Sequence, residues 1–317
     1  MRLPRPDCIG ARNDNGGRAR NDSGGGARND NRERLAMTVE QWFRMTRSIS
    51  CFLDIIRAVE DLSDSITFLG TAGARFVVTK QFLASGGAWL NFGGTEMLLD
   101  PGPGCLVHSV KRKLDASKLK AIILSHKHLD HSGDINIMIE AMTDGGWKQR
   151  GVVFAPSDAL DKDAVILPYL QNYPEKIGIL SEGKSYSVED LSFETPVKHR
   201  HPVETYGFVF RTPRHTLAWI TDTRYFDELA NYYRAELLVI NVVMLESRDG
   251  IDHLSIPEAK QIIDEVKPKA AILTHFGISI WRAKSWEVAQ KLSEDTGIKV
   301  IAARDGMKFD LARLEEM

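Results

Sequence analysis

The 317-residue chain has only three cysteines, Cys8, Cys51 and Cys105, and no C-x-x-C spacing. That excludes a disulfide framework and makes a reducing cytoplasm the expected compartment. No apolar run approaches the roughly 18–20 residues a helix needs to cross a bilayer, so a membrane-spanning helical protein is excluded. Charge of one sign is also lacking. The 41 basic and 43 acidic side chains leave −2, which gives no basis for bulk attraction to nucleic acid. No G-x-S-x-G elbow occurs, and the chain is read as having no Walker loop, so neither a serine nucleophile nor a phosphate cradle is expected. Histidine, by contrast, occurs nine times.

The first 36 residues stand apart. Ala-Arg-Asn-Asp occurs at 11–14, 19–22 and 27–30 with glycines between, a composition that cannot bury enough apolar surface to offset ordering. A disordered low-complexity tail is expected. Its acids argue against a transit peptide, and it has no apolar h-region. Translated upstream sequence is the alternative, with Met37 or Met45 as the start. The tail holds eight arginines and five acids, leaving 33 basic and 38 acidic side chains in residues 37–317, net −5.

Between 38 and 60, Val39, Trp42, Phe43, Ile49, Phe52, Leu53, Ile56 and Val59 recur at three- and four-residue spacings. This predicts an amphipathic helical extension over 37–60. Its apolar face would pack on the domain or on a second subunit, which makes a homodimer an expectation. No linker divides 61–317, which is read as one domain.

Within that domain, strands are expected at Ser65–Leu69, Ala88–Phe92, Glu96–Leu99, Ala121–Leu124, Val152–Ala155, Thr205–Arg211, Thr216–Ile220, Leu237–Ile240, Ala270–Leu273 and Ile298–Ala302. A helix should start at Ser255, with Pro257 just inside, and run through Val266. Another, near Ser285–Glu294, should stop at Gly297. Gly86-Gly87 and Gly93-Gly94 read as turns. The alternation of strands and helices predicts a layered α/β domain.

Residues 121–134 read Ala-Ile-Ile-Leu-Ser-His-Lys-His-Leu-Asp-His-Ser-Gly-Asp. A buried-type strand thus ends directly in His126, His128, Asp130 and His131. Side chains two apart on an extended segment point the same way, so His126 and His128 can grip one ion together. A turn after them would carry Asp130 and His131 to a neighbouring ion. A lone histidine is more often an ordinary surface or core residue. Four candidate ligands within six residues would be a costly cluster without a cation, and imidazole with carboxylate suits zinc, manganese or iron. Asp222 and His275 each follow an apolar strand in the same way.

The segment resembles the H-x-H-x-D-H signature of the metallo-β-lactamase superfamily, and the likeness extends over roughly residues 65–310. It is nearest to the phosphodiesterase branch that includes ribonuclease Z. Phe68-Leu69-Gly70-Thr71-Ala72-Gly73 is similar to that branch's opening strand and glycine turn. Leu98-Leu99-Asp100-Pro101-Gly102 is similar to the strand whose aspartate braces the metal loop. The stretch His201 to Phe208, Ile220-Thr221-Asp222-Thr223-Arg224 and Ile272-Leu273-Thr274-His275 resemble its later ligand segments.

The resemblance implies an αββα sandwich, two mixed sheets with helices on both outer faces. It implies two divalent ions, zinc first, with manganese or iron as alternatives. His126, His128, His201 and Asp222 would hold one ion, and Asp130, His131, Asp222 and His275 the other. His199 competes with His201, which is preferred for its distance from the Tyr-Gly-Phe strand. His253, in Asp252-His253-Leu254-Ser255, resembles the branch's second-sphere histidine and would protonate a leaving oxygen, alongside Asp130 at the catalytic centre. Tyr225 matches the offset of a tyrosine that steadies an oxyanion in the lactonase branch, although a first helical turn is the plainer expectation. His108 and His215 read as ordinary surface residues.

The expected function is hydrolysis of a small phosphodiester or nucleotide-like molecule by a metal-bridging hydroxide. A lactone, carboxylic ester or thioester hydrolase on the same site is the second reading. Only 20 residues separate His201 from Asp222, leaving no place for the RNA-clamping arm of ribonuclease Z. The branch's His-Glu-Ala-Thr stretch is replaced by Asn241-Val242-Val243-Met244. With a body charge of −5, transfer-RNA 3′ processing, and large nucleic acid generally, ranks last beside a non-catalytic binding module. The Gly-His-Thr of glyoxalase-type thioesterases and the glutamate of flavodiiron enzymes are both missing.

Overall fold

The computed structural model describes residues 64–317. The tail expected over 1–36 and the helix expected over 37–60, with the homodimer argument that rests on it, lie outside the described residues. Within them, fourteen strands form two seven-stranded sheets. The first sheet is ordered β14 (Lys308–Asp310), β1 (Ser65–Phe68), β2 (Ala88–Phe92), β3 (Thr95–Leu99), β4 (Ala121–Ile123), β5 (Val152–Ala155) and β6 (Lys176–Ile179). The second is ordered β13 (Lys299–Ala302), β12 (Ala270–Thr274), β11 (Leu237–Asn241), β10 (Thr216–Ile220), β9 (Phe208–Arg211), β8 (Leu191–Thr195) and β7 (Lys184–Val188).

Each sheet is half parallel and half antiparallel. β3 to β6 run parallel in the first, and β10 to β13 in the second. Glycines make the β2–β3 hairpin possible: Gly93 and Gly94 have φ of 59° and 87°, the paired left-handed turn that matches strand twist. Between the sheets lies a core of Phe68, Leu90, Phe92, Phe193, Phe208, Phe210 and Trp219 with aliphatic neighbours. Two further apolar layers cover the outer faces. Helix α1 (Ala74–Lys80) packs through Val77 and Val78 with Ala72, Leu83 and Ile278. α2 (Cys105–Lys111), α3 (Leu129–Ser132) and α4 (Ile135–Met142) follow on the first sheet's side. α5 (Leu229–Tyr232), α6 (Ile256–Val266), α7 (Ile278–Arg282) and α8 (Ser285–Thr296) cover the second. The αββα sandwich is therefore the observed architecture.

Both anticipated helix ends are in place. Ser255 and Glu258 form a reciprocal capping box with Pro257 in the first turn, and α8 ends on Gly297 at φ 71°. Four strands were not anticipated: β6, β7, β8 and β14. β6, β7 and β14 are edge strands, and Lys176, Lys184 and Lys308 open them, so polar residues face water and the apolar alternation is weak.

Edge pairing also corrects the reading of phosphate cradles. Gly178 to Ser185 does spell G-x-x-x-x-G-K-S. It joins β6 to β7 instead of leading from a strand into a helix, so no helix N-terminus cradles a phosphate there. Among the described residues, no helix is long and apolar enough to cross a membrane.

Candidate metal centre

The site lies where the carboxyl ends of parallel strands from both sheets meet, the place at which open α/β sheets leave a crevice. Asp100 follows β3, His126 lies three residues beyond β4, Asp222 lies two beyond β10 and His275 follows β12. His128 is extended (φ −60°, ψ 146°) and stands just before α3, whose single turn carries Asp130 and His131. The same short peptide thus points two histidines one way and an Asp-His pair another. Asp100 and His275 both adopt left-handed backbone, at φ 50° and 63°, strain that clusters at functional sites. Gly73, in the opening glycine turn, packs so closely that a Cβ there would lie 2.4 Å from His275 Nδ1 and 2.1 Å from its carbonyl oxygen.

Two groups of donor atoms result. In the first, His128 Nδ1 lies 3.1 Å from His126 Nε2 and 3.0 Å from His201 Nε2. In the second, His131 Nε2 lies 3.0 Å from His275 Nε2, and Asp130 Oδ2 lies 3.8 and 3.4 Å from those nitrogens. Asp222 stands between the groups. Its Oδ2 is 3.8 Å from His126 Nε2, 3.4 Å from His131 Nε2 and 3.5 Å from His253 Nδ1, and its Oδ1 is 3.4 Å from His275 Nδ1.

Whether these donors fit cations follows from the protons. Ser125 Oγ donates to Asp100 Oδ2 at 2.7 Å, so it can only accept from His126 Nδ1 at 2.9 Å. His201 Nδ1 donates to the Asp252 carbonyl at 2.9 Å. Both rings therefore turn a bare Nε2 toward His128. Two lone pairs thus converge on His128 Nδ1, which can carry only one proton to meet them, so a cation satisfies the group better. Metal–nitrogen bonds of about 2.0–2.1 Å in a tetrahedral shell place ligand nitrogens roughly 3.3 Å apart, close to what is observed. The residues fit divalent ions.

Electrostatics agree. Burial lowers the pKa of His126 well below the ordinary value, lowers those of His128 and His253, and takes His201 to about 4. His126, His128 and His201 are thus held in the neutral form that ligates. Burial opposes charge on His131 too, but Asp222, Asp100 and Asp130 outweigh it and raise its pKa well above normal. Burial would raise Asp130 and Asp222; His131 and His275 prevail and hold both well below the carboxylate range. The centre favours added positive charge.

Asp100 lies behind the loop. Its Oδ1 accepts from the Ser125 backbone N–H at 2.6 Å, and its Oδ2 lies 2.9 Å from His131 Nδ1. Asp100→Asn should weaken metal binding about 10–100-fold, because carboxylates behind ligating histidines set ring orientation and basicity. Competition against a chromophoric chelator measures this.

The structure does not bring every candidate to the centre. His199 is buried elsewhere: its Nε2 is 2.6 Å from the Tyr233 hydroxyl, its Nδ1 is 3.2 Å from the Asp222 carbonyl, and burial takes its pKa to about 3. It holds the Asp222 backbone, and His201 takes the position at the cluster. Tyr225 is neither a first helical turn nor a neighbour of the donors. α5 begins at Leu229, and the Tyr225 hydroxyl faces Gln261 and Glu265 of α6. Phe226 takes the buried position, with the Arg200 guanidinium 4.4 Å over its ring. His215 is buried rather than exposed, its Nδ1 3.9 Å from Glu236, because the tight Thr212–His215 turn folds it inward. His108 is half-buried on α2, away from the donor groups. Ser125 and Asn241 were missed. The only signal for them was position, each directly at a strand end.

Comparison with known proteins follows the same lines. The β-lactamase superfamily domain matches residues 95–276, a span holding every candidate ligand. An uncharacterised protein of Methanocaldococcus jannaschii, MJ1374, is 30% identical over 254 residues, covering 78% of this chain and 94% of the relative. The probable metallo-hydrolase YhfI of Bacillus subtilis is 27% identical over 219 residues, 67% of this chain and 88% of its own. The crystal structure of YhfI superposes with a TM-score of 0.65 at 20% identity, covering 78% of this chain and 99% of that one. A diphosphatase of the PhnP family superposes with a TM-score of 0.58 at 16% identity over 78% and 96%. With fold, donor set and more than half of its length in agreement, the chain belongs to the β-lactamase superfamily of metal-dependent hydrolases.

Proposed function

We propose that the protein is a dinuclear phosphodiesterase acting on a small phosphodiester or nucleotide-like ester. The observation that carries this reading is Asp222, whose Oδ2 faces His126, His131 and His253 from between the two donor groups. His126, His128, His201 and Asp222 would hold one ion, and Asp130, His131, Asp222 and His275 the other. Zinc suits this nitrogen and oxygen set, with manganese or iron as alternatives. When bound, such ions supply Lewis acidity and bring the pKa of coordinated water toward neutrality.

The protein's own part is positioning and proton transfer. Asp252 and Ser125 fix the tautomers of His201 and His126, and Asp100 orients His131. His253 is partly exposed beside Asp222. Burial lowers its pKa while the Asp222 charge opposes that, so with Nδ1 turned to the carboxylate its other nitrogen would take up a second proton and pass it to a leaving oxygen.

A small substrate is favoured because the cations flanking the site are already engaged. Lys127 lies 3.6 Å from Asp158, Arg224 lies 2.7 Å from Asp252, and Arg200 stacks on Phe226. The short turn between β9 and β10 leaves no arm to clamp RNA. The ester or lactone alternative is weakened because Tyr225 faces α6. A cytoplasmic location fits the three cysteines, Cys105 being buried and free.

Parallel assays on bis(p-nitrophenyl) phosphate, a 2′,3′-cyclic nucleotide and a homoserine lactone test the reading. Turnover of one or both phosphodiesters well above that of the lactone is expected. Turnover of the lactone alone would overturn it.

A further inference from the structure

The geometry points to Asn241 as the residue that sets the direction of the Asp222 carboxylate, and to Trp219 as the residue that sets the direction of Asn241. This inference rests on the metal reading above. Asn241 ends β11 and Trp219 lies on β10, so the parallel pairing of these strands brings the two side chains together behind the site. Asn241 Nδ2 donates to Asp222 Oδ1 at 2.9 Å. Trp219 Nε1 donates to Asn241 Oδ1 at 3.2 Å. All three residues are at least 95% buried, so no solvent competes for these bonds.

The order of donors matters. An amide can present either its oxygen or its nitrogen to a neighbour. The indole N–H is a donor only, so it selects the Asn241 oxygen and leaves the NH₂ for Asp222. Oδ1 of Asp222 accepts this bond and also lies 3.4 Å from His275 Nδ1, while Oδ2 is the oxygen turned to His126, His131 and His253. The indole cannot turn away readily. Its ring lies in the intersheet core, 5.7 Å from that of Phe68. A neutral donor also leaves the carboxylate its full charge for cations, which a positively charged partner would not. Here the chain departs from the ribonuclease Z pattern, with Asn241 standing where His-Glu-Ala-Thr begins.

A cavity of about 40 Å³ lined by Trp219, Asn241, Thr274, Asp130, His131 and His275 adjoins the amide. It gives Asn241→Leu room to retain the fold while removing the donor.

The full-length wild type, Asn241→Leu and Trp219→Phe would be freed of metal and titrated with zinc alone against a chromophoric chelator. Melting of each metal-free protein and kcat and KM on bis(p-nitrophenyl) phosphate would be measured alongside. Asn241→Leu should weaken the weaker of two zinc-binding steps about 10–100-fold and lower kcat more than it raises KM. Trp219→Phe should weaken the same step about twofold to tenfold, the worth of one neutral hydrogen bond. The metal-free proteins should melt within a few degrees of one another. Wild-type zinc affinity in Asn241→Leu overturns the inference, as does equal weakening of both steps with a collapsed melting temperature, which would mark a structural role only. If Asn241→Leu does not fold, Trp219→Phe decides, and unchanged affinity overturns the inference. A wild type that binds no zinc in either step would instead sink the metal reading itself.

Discussion

Removing divalent ions with a chelator should lower hydrolysis of bis(p-nitrophenyl) phosphate by at least about a thousandfold, and zinc or manganese should restore it. A thousandfold corresponds to about 4 kcal/mol of barrier. The expectation is this large because the site offers no other source of rate. Ser125 is wholly buried and gives its hydroxyl proton to Asp100 behind His126, and His126 and His201 turn bare nitrogens toward the donor group. Asp222→Asn should reproduce the loss without a chelator, since an amide cannot serve both donor groups as the carboxylate does. Elemental analysis of the purified protein should find close to two transition-metal ions per chain. A preparation free of metal, with hydrolysis that no ion restores, would refute the assignment.

The second large effect is expected at His253. Its alanine variant should lose about 10²–10⁴-fold in kcat, the usual worth of a positioned proton donor, while keeping both ions. Retention of metal is the informative part. His253 Nδ1 is 3.5 Å from Asp222 Oδ2, near enough that Asp222, His253 and His275 could themselves surround an ion. If His253→Ala lost an ion along with activity, the residue would be a ligand and its proton-donor role would fall. A substrate whose leaving group needs no proton, such as p-nitrophenolate, should be spared much of the loss compared with a cyclic nucleotide.

Much of this site was readable from sequence because its candidate ligands sit at fixed places in strand-and-turn grammar. An apolar run ending in His126 and His128, then Asp130 and His131, states both strand and turn, and the single helical turn of α3 separates the two pairs as spacing alone suggests. Ser255, Pro257 and Gly297 marked helix ends because capping is local chemistry. What escaped notice depends on partners distant in sequence. Asn241 matters through Asp222, 19 residues earlier, and through an indole on the adjacent strand. Tyr225 and His215 were misplaced because a residue's direction on a loop is decided by its neighbours' packing, Phe226 in one case and the Thr212 turn in the other. β6, β7 and β14 were invisible because edge strands do not need an apolar face on both sides.

The donors are divided between the two halves of the sandwich. His126, His128, Asp130 and His131 come from the first sheet's strand ends, whereas His201, Asp222, His253 and His275 come from the second. Neither sheet alone can assemble either donor group. Ions bound there would rivet the halves together across their shared rim, and an unfolded chain would hold them poorly. Resistance to unfolding should then rise with the logarithm of free metal, so the ion supply of the cell would govern how long the folded enzyme lasts as well as how fast it works.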